Sequence, residues 1–287
     1  MIVYFNGQYT AKEDVRVSPD DRGFTFGDGA YEVIRAYGGR LFRGEDHVGR
    51  LARSLGELRI EAPVLRGPGG IAQVAAELIE RNGLAGGDAA VYVQVTRGVA
   101  PRKHAFPPPG TPPTVYLAAS PFQPAPDAWQ NGVGVILVPD IRWARCDIKA
   151  VALLPSVLAS QQAAERGAEE AVFVRDGLIT EGAHTNVCAV LDGVLVTHPA
   201  TNLILDGITR RVVLGLCAGL GIPTGEEPIP ADDLLAAAEV MILGTTTEIK
   251  PVVRVDGRQV ADGRPGPVTR RLQAAFRALV AAETAGR

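Results

Sequence analysis

Chemistry in this chain is most concentrated at Lys149, in the stretch Arg142-Trp143-Ala144-Arg145-Cys146-Asp147-Ile148-Lys149. The chain has four lysines (12, 103, 149 and 250) against 25 arginines, so a lysine at this point is a departure from its usual choice of cation. A lysine differs from an arginine in one useful way: burial can lower its pKa enough to free the amine as a nucleophile. An amine between two apolar segments, Gly134 to Val138 and Ala150 to Leu154, is suited to forming a Schiff base with a carbonyl compound. The alternative is a lysine at a strand end whose stem packs while its charge reaches solvent.

Other residues have chemistry of their own. Glu181 precedes Gly182 at the end of a hairpin, where a carboxylate either faces solvent or is held as a partner for a cation. Arg102 and His104 lie in a loop with Pro101, Pro107, Pro108 and Pro109; a guanidinium there is suited to bidentate binding of a carboxylate. Ile208 and Thr209 open a helical pattern, whose unpaired N–H groups favour an anion. Thr245 follows Gly244 at a strand end and offers an N–H and a hydroxyl. The four histidines are scattered without metal-ligand spacing.

The elements that must position these residues are legible from patterning. Residues 2–17 read as a hairpin turning at Asn6-Gly7, and residues 20–29 as a glycine-punctuated loop leading into a strand from Ala30 to Tyr37. Val48, Leu51, Leu55 and Leu58 predict a helix from about Glu45 to Ile60; Ile71, Val74, Leu78 and Ile79 predict another from Gly69 to Arg81. Strands follow at 91–96 and 114–119, separated by the loop 97–113. Three prolines between Pro121 and Pro126 stiffen the chain, and the domain boundary is expected there: 1–119, a linker at 120–126, then 127–287. Beyond it come a strand at 134–138, a helix from about Ser156 to Gly167, and hairpins at Asp176-Gly177, Asp192-Gly193 and Asp256-Gly257. Helices are predicted from Gly207 to Gly221, from Ala231 to Ala238 and after Pro267, with a strand at 239–243.

Composition narrows the class. The 287 residues, 46% apolar and 21% charged, suit a two-domain globular protein. A net charge of −3 with mixed signs and no basic block argues against nucleic acid. Three separated cysteines (146, 188 and 217) argue against a disulfide framework and for a reducing compartment. Residues 1–7 turn polar too soon for a signal peptide, and no apolar run approaches the roughly 18 residues of a membrane span. A cytoplasmic protein is expected.

Five stretches in register resemble the class IV pyridoxal-phosphate aminotransferases, most closely the bacterial D-amino acid branch. They are Asp21-Arg22-Gly23-Phe24 running into Phe26-Gly27-Asp28-Gly29-Ala30-Tyr31-Glu32; Gln94-Val95-Thr96-Arg97-Gly98 with Arg102, His104, Phe106 and Pro107; Asp140-Ile141-Arg142-Trp143 with Cys146-Asp147-Ile148-Lys149; Thr180-Glu181-Gly182 with Asn186-Val187; and Leu205 through Arg210. The resemblance implies an α/β fold with mixed sheets: the two-domain fold type IV, with pyridoxal 5'-phosphate in the interdomain cleft.

The resemblance also implies roles. Lys149 matches the lysine that holds the cofactor as an internal aldimine and then moves the proton; Glu181 matches the carboxylate paired with the pyridine nitrogen. Arg50, Ile208, Thr209 and Thr245 match phosphate-facing positions, and Leu205 matches the apolar residue packed on one ring face. Tyr31, Arg102 and His104 match a carboxylate trap whose Arg and His come from the partner subunit, so a homodimer is expected. The implied reaction is transamination between D-amino acids such as D-alanine and 2-oxo acids such as 2-oxoglutarate, in two half-reactions. Alternatives are an (R)-amine or branched-chain L-amino acid transaminase, an aminodeoxychorismate-type lyase, or a non-enzymatic carrier of the cofactor. Two departures bear on substrate range: Ala183-His184-Thr185 replaces small hydroxyl residues after Thr-Glu-Gly, and Lys103 adds a charge between Arg102 and His104.

Overall fold

The computed structural model describes residues 1–62 and 69–285. The chain divides into two compact units: residues 1–123, 148–152 and 283–287 form the first, and residues 124–147 with 153–282 the second. Lys149 therefore belongs with the first unit although the segments flanking 148–152 belong with the second.

The first unit is built on an antiparallel sheet. Its members in chain order are β1 (Ile2–Phe5), β2 (Gln8–Ala11), a short helix α1 (Arg22–Phe26), β3 (Gly29–Tyr37), β4 (Arg40–Leu41), helices α2 (Gly44–Glu57) and α3 (Ile71–Arg81), β5 (Ala89–Thr96) and β6 (Thr114–Pro121). The strand order is β2-β1-β6-β5-β3-β4. Asn6 and Gly7 both have positive φ, as a two-residue hairpin turn requires. Val48, Leu51 and Leu55 of α2 and Ile71, Val74 and Leu78 of α3 fall on one face of each helix, and both faces pack on the sheet with Val91, Val93, Val95 and Leu117. Each such large apolar side chain contributes roughly 1.5–3 kcal/mol on burial. Alternation along β3 turns Ala30, Glu32, Ile34 and Ala36 inward, so a carboxylate sits in an otherwise apolar stripe.

The segment expected as a loop at 20–29 contains α1. Its cause is local: Asp21 caps it by accepting from Gly23 N at 2.8 Å, and Gly27 ends it in the left-handed region at φ 66. Five residues are too few to show helical periodicity in sequence.

The second unit contains α4 (Pro126–Asn131), β7 (Val133–Pro139), α5 (Leu154–Glu165), β8 (Glu170–Arg175), β9 (Leu178–Gly182), β10 (Asn186–Leu191), β11 (Val194–Thr197), α6 (Ile208–Leu220), β12 (Thr224–Glu226), β13 (Ile229–Pro230), α7 (Ala231–Ala236), β14 (Glu239–Gly244), β15 (Glu248–Val255), β16 (Arg258–Gln259) and α8 (Pro267–Thr284). Its mixed sheet runs β12-β11-β10-β14-β15-β7-β8-β9-β13, with β16 on β15. Asp-Gly turns at 176–177, 192–193 and 256–257 join their strands, each Asp and Gly at positive φ. Helix α5 starts at Leu154, earlier than the sequence suggested, because Pro155 suits a first turn that needs no N–H. No helix among the described residues is long and apolar enough to cross a membrane.

Candidate active site

In the first unit the site is assembled on β3 and α2. Residues 149–151 run antiparallel along the start of β3: Tyr31 N donates to Lys149 O at 3.0 Å, Val151 N donates to Gly29 O at 3.0 Å, and Ala30 bridges Ala150. Lys149 N donates to Ser54 Oγ of α2 at 3.2 Å. These bonds hold Lys149 by its backbone and leave the side chain to point away. Its Nζ lies 4.3 Å from the centre of the Tyr31 ring, and among the described residues it makes no ion pair. An amine resting on an aromatic face with no carboxylate attached is available for bonding to a carbonyl.

Beneath this lies a buried network. Glu32 is fully buried and accepts from Arg50 Nε at 2.7 Å, Arg50 Nη2 at 3.0 Å and His47 Nδ1 at 2.8 Å. Burial alone would raise the Glu32 pKa, but the Arg50 charge and the two donors bring it down to about 2. The His47 pKa is lowered as well, but by burial, which holds it below the ordinary histidine value despite the pull of Glu32. Arg50, which an amphipathic helix would ordinarily present to solvent, is instead buried and oriented from below.

Arg102 and His104 lie elsewhere on this unit. Both are exposed and flank the Phe26 ring, Arg102 at 5.3 Å and His104 at 5.6 Å from its centre. No hydrogen bond, ion pair or ring contact joins either to Tyr31 among the described residues. Tyr31 packs instead on Tyr92, which packs on Tyr116. The structure thus brings Tyr31, Arg50 and Lys149 to one region and leaves Arg102 and His104 at another.

In the second unit the remaining candidates gather at one end of the sheet. Glu181 Oε2 accepts from Leu205 N at 2.9 Å and Asn186 Nδ2 at 3.2 Å, while Oε1 pairs with Arg142. Asn186 also donates to Leu205 O at 2.8 Å, so one amide fixes both the carboxylate and the segment leading to α6. Arg142 is itself pinned by Asp140, with Nη2 at 2.8 Å from Oδ2, and lies over Phe173 at 4.3 Å. Gly207 caps the start of α6 and must be glycine: a Cβ there would lie 1.9 Å from Asn186 Oδ1. No side chain caps α6, and Ile208 and Thr209 are buried at its first turn. Asn186 pairs in register with Leu243, so Gly244 and Thr245 turn at the same sheet end.

A pyridine nitrogen and a phosphate fit this donor set. A carboxylate whose charge is offset and whose oxygens are oriented by fixed donors suits a protonated ring nitrogen. An uncapped helix start with adjacent threonines suits a dianion.

His184, the departure from small hydroxyl residues, places Nδ1 2.9 Å from Glu170 Oε2. Desolvation opposes its charge, but the hydrogen bond and charge of Glu170 outweigh it and hold the His184 pKa above the ordinary value. Thr185 Oγ1 donates to the same oxygen at 3.0 Å, so Glu170 ties down the turn between Glu181 and Asn186.

Arg142, Asn186, Glu32 and His47 were given no role by sequence, although three of them stand inside the family-like stretches. Glu32 had a usable signal, an acid in phase with the inward residues of β3. The others depend on proximity between distant segments.

The family model for class IV aminotransferases matches residues 29–255. D-alanine aminotransferase of Bacillus licheniformis is 42% identical over 285 residues, covering 99% of each chain. That of Staphylococcus haemolyticus is 42% identical over 274 residues, 96% of each. Among solved structures, the branched-chain amino acid aminotransferase from Escherichia coli matches with TM-score 0.87 and 31% identity, covering 100% of this chain and 96% of that one. The branched-chain aminotransferase from the thermophilic archaeon Thermoproteus uzoniensis, solved with norvaline, matches with TM-score 0.85 and 28% identity, covering 99% and 96%. With a buried, oriented Glu181, a Lys149 amine without an ion pair among the described residues and these matches along nearly its full length, the chain belongs to the class IV aminotransferases.

Proposed function

We propose that this chain is a pyridoxal-phosphate-dependent transaminase that moves the amino group of D-amino acids such as D-alanine to 2-oxo acids such as 2-oxoglutarate. The observation that carries the reaction is the cluster of Glu181, Asn186, Leu205 and the uncapped start of α6, a paired carboxylate beside an anion-binding helix end. The D-amino acid preference rests on the full-length identity to D-alanine aminotransferases and on the exposed Arg102 and His104.

Bound pyridoxal phosphate supplies a carbonyl that an amine can bond and a ring that accepts electrons. Lys149 Nζ would be the amine that holds it, and as a base and then an acid it would move the substrate Cα proton. Glu181, oriented by Asn186 and Leu205 N and offset by Arg142, would keep a proton on the ring nitrogen. Ile208, Thr209 and Thr245, with Arg50, would hold the phosphate, and Leu205 would pack against the ring.

Arg102 and His104 bind the substrate carboxylate with Tyr31, each pair reaching the other copy's site in a homodimer. Support for the dimer is the exposed apolar set on the same segments: Phe24 at 76%, Val99 at 51% and Phe106 at 50%. The three cysteines are free and buried, in keeping with a cytoplasmic protein.

Offering D-alanine, L-leucine and (R)-1-phenylethylamine separately to the holoenzyme tests the reading. The cofactor absorption band converts to the pyridoxamine form with D-alanine. Conversion by L-leucine or the amine with none by D-alanine refutes the substrate class. Retained turnover by Lys149→Ala refutes the mechanism.

A further inference from the structure

The loop 97–113 carries the two side chains read above as a carboxylate trap, yet it is neither helix nor strand and is broken by prolines. Something other than a ladder must hold its backbone. Arg22 of α1, only 4% exposed, reaches into the loop. Its Nη1 lies 2.6 Å from Lys103 O and 3.4 Å from Ala105 O, and its Nη2 lies 3.4 Å from His104 O. One guanidinium thus faces three successive carbonyls, those of the residues following Arg102. Its Nε donates to Asp28 Oδ2 at 2.7 Å.

Asp28 is shared. Arg97, at the root of the loop, donates to both its oxygens, Nε to Oδ2 at 2.7 Å and Nη2 to Oδ1 at 2.9 Å. Arg97 also donates to Leu58 O and Arg59 O beyond the end of α2, and stacks on Phe106 at 3.7 Å. The α1 backbone adds Arg22 N to Gly98 O at 2.9 Å. Phe26, four residues after Arg22, lies 4.7 Å from its guanidinium and is the ring that Arg102 and His104 flank. Only arginine has the geometry for this: a planar fork can face several carbonyls while keeping Nε for a carboxylate, whereas a lysine offers one point charge.

We infer that Arg22, held by Asp28, is a positioning residue that fixes the backbone of the Arg102–His104 loop and so sets affinity for the substrate carboxylate. It touches no substrate and acts through Arg102 and His104; the inference rests on the reading of those two as the trap. Ordering by Arg22 means that the trap is formed before substrate arrives, and the cost of arranging it is not charged against binding.

The experiment uses the holoenzyme and two readouts. The first is limited trypsin cleavage after Arg102 and Lys103, which reports the order of the loop without reference to activity. The second is KM and kcat for D-alanine. Arg22→Ala is expected to speed cleavage and raise KM about tenfold or more, the effect of losing a charge-assisted hydrogen bond, with kcat within about threefold. In the double variant with Arg102→Ala, the rise in KM is smaller than the product of the two single effects, because only His104 is left for Arg22 to position. Arg22→Lys, which keeps the charge, behaves like Arg22→Ala and serves if the alanine variant does not fold. Unchanged cleavage overturns the inference, as does unchanged KM in an Arg22 variant when Arg102→Ala raises it, or full additivity in the double variant. If Arg102→Ala itself leaves KM unchanged, the trap reading fails, and the cleavage rate alone decides whether Arg22 orders the loop.

Discussion

Replacing Glu32 by glutamine keeps the side-chain shape and removes its charge. The residue is fully buried, and its two oxygens accept from Arg50 and His47 at 2.7–3.0 Å. Its pKa falls from 4.5 to about 2, a difference worth about 3 kcal/mol between the charged and neutral forms. Breaking a buried pair by removing one partner costs roughly 3–5 kcal/mol, because the remaining charge is left uncompensated. The two routes agree on a loss of about 3 kcal/mol at pH 7, or roughly 6–12 °C in Tm for a chain of this size. The pH dependence has a definite sign. The folded pKa is depressed, so the stabilisation is complete above the unfolded value of 4.5 and is lost as pH falls toward 2. Urea unfolding of wild type and Glu32→Gln at pH 7, 5 and 3 measures this directly, since other carboxylates cancel in the difference. The gap should be nearly constant from pH 7 to 5 and shrink to roughly half by pH 3. A gap below about 1 kcal/mol at pH 7, or one that does not shrink in acid, refutes the view that Glu32 is held as an anion.

Glu181→Gln should retain pyridoxal phosphate, because the residues proposed to hold the phosphate on α6 are untouched, while turnover drops on the order of 10²-fold. Loss of cofactor binding with the rate of the remaining holoenzyme intact would show that the carboxylate serves binding instead. His184 has a raised folded pKa, so its contribution to stability is full below the unfolded histidine range and is lost as pH rises through the folded value. Tm of wild type and His184→Ala should therefore differ more at pH 6 than at pH 9; a difference that grows with pH would contradict the Glu170 pairing.

Much of this protein is written locally. Four turns, Asn6-Gly7 and the Asp-Gly pairs at 176, 192 and 256, stand where residue type demands them, since a left-handed backbone is cheapest for Asn, Asp and Gly. The amphipathic faces of α2 and α3 follow from apolar spacing. The roles expected of Lys149 and Glu181 rest on flanking residues that resemble a known family, not on either residue alone. The short helix α1 escaped detection, as its only signals are one cap and one glycine.

What tertiary structure decided is which of these segments meet. Sequence places Lys149 ten residues after β7; folding returns residues 148–152 to the first unit and lays them on β3, a pairing that no local preference encodes. Arg50 was one arginine among 25 until Glu32, itself bonded to His47, met it from β3. Arg142, Asn186 and Arg22 acquire partners 39, 5 and 81 residues away. Side-chain chemistry is set by sequence, but the charge, orientation and reach of each group depend on neighbours across such separations. Only the packed fold supplies those neighbours.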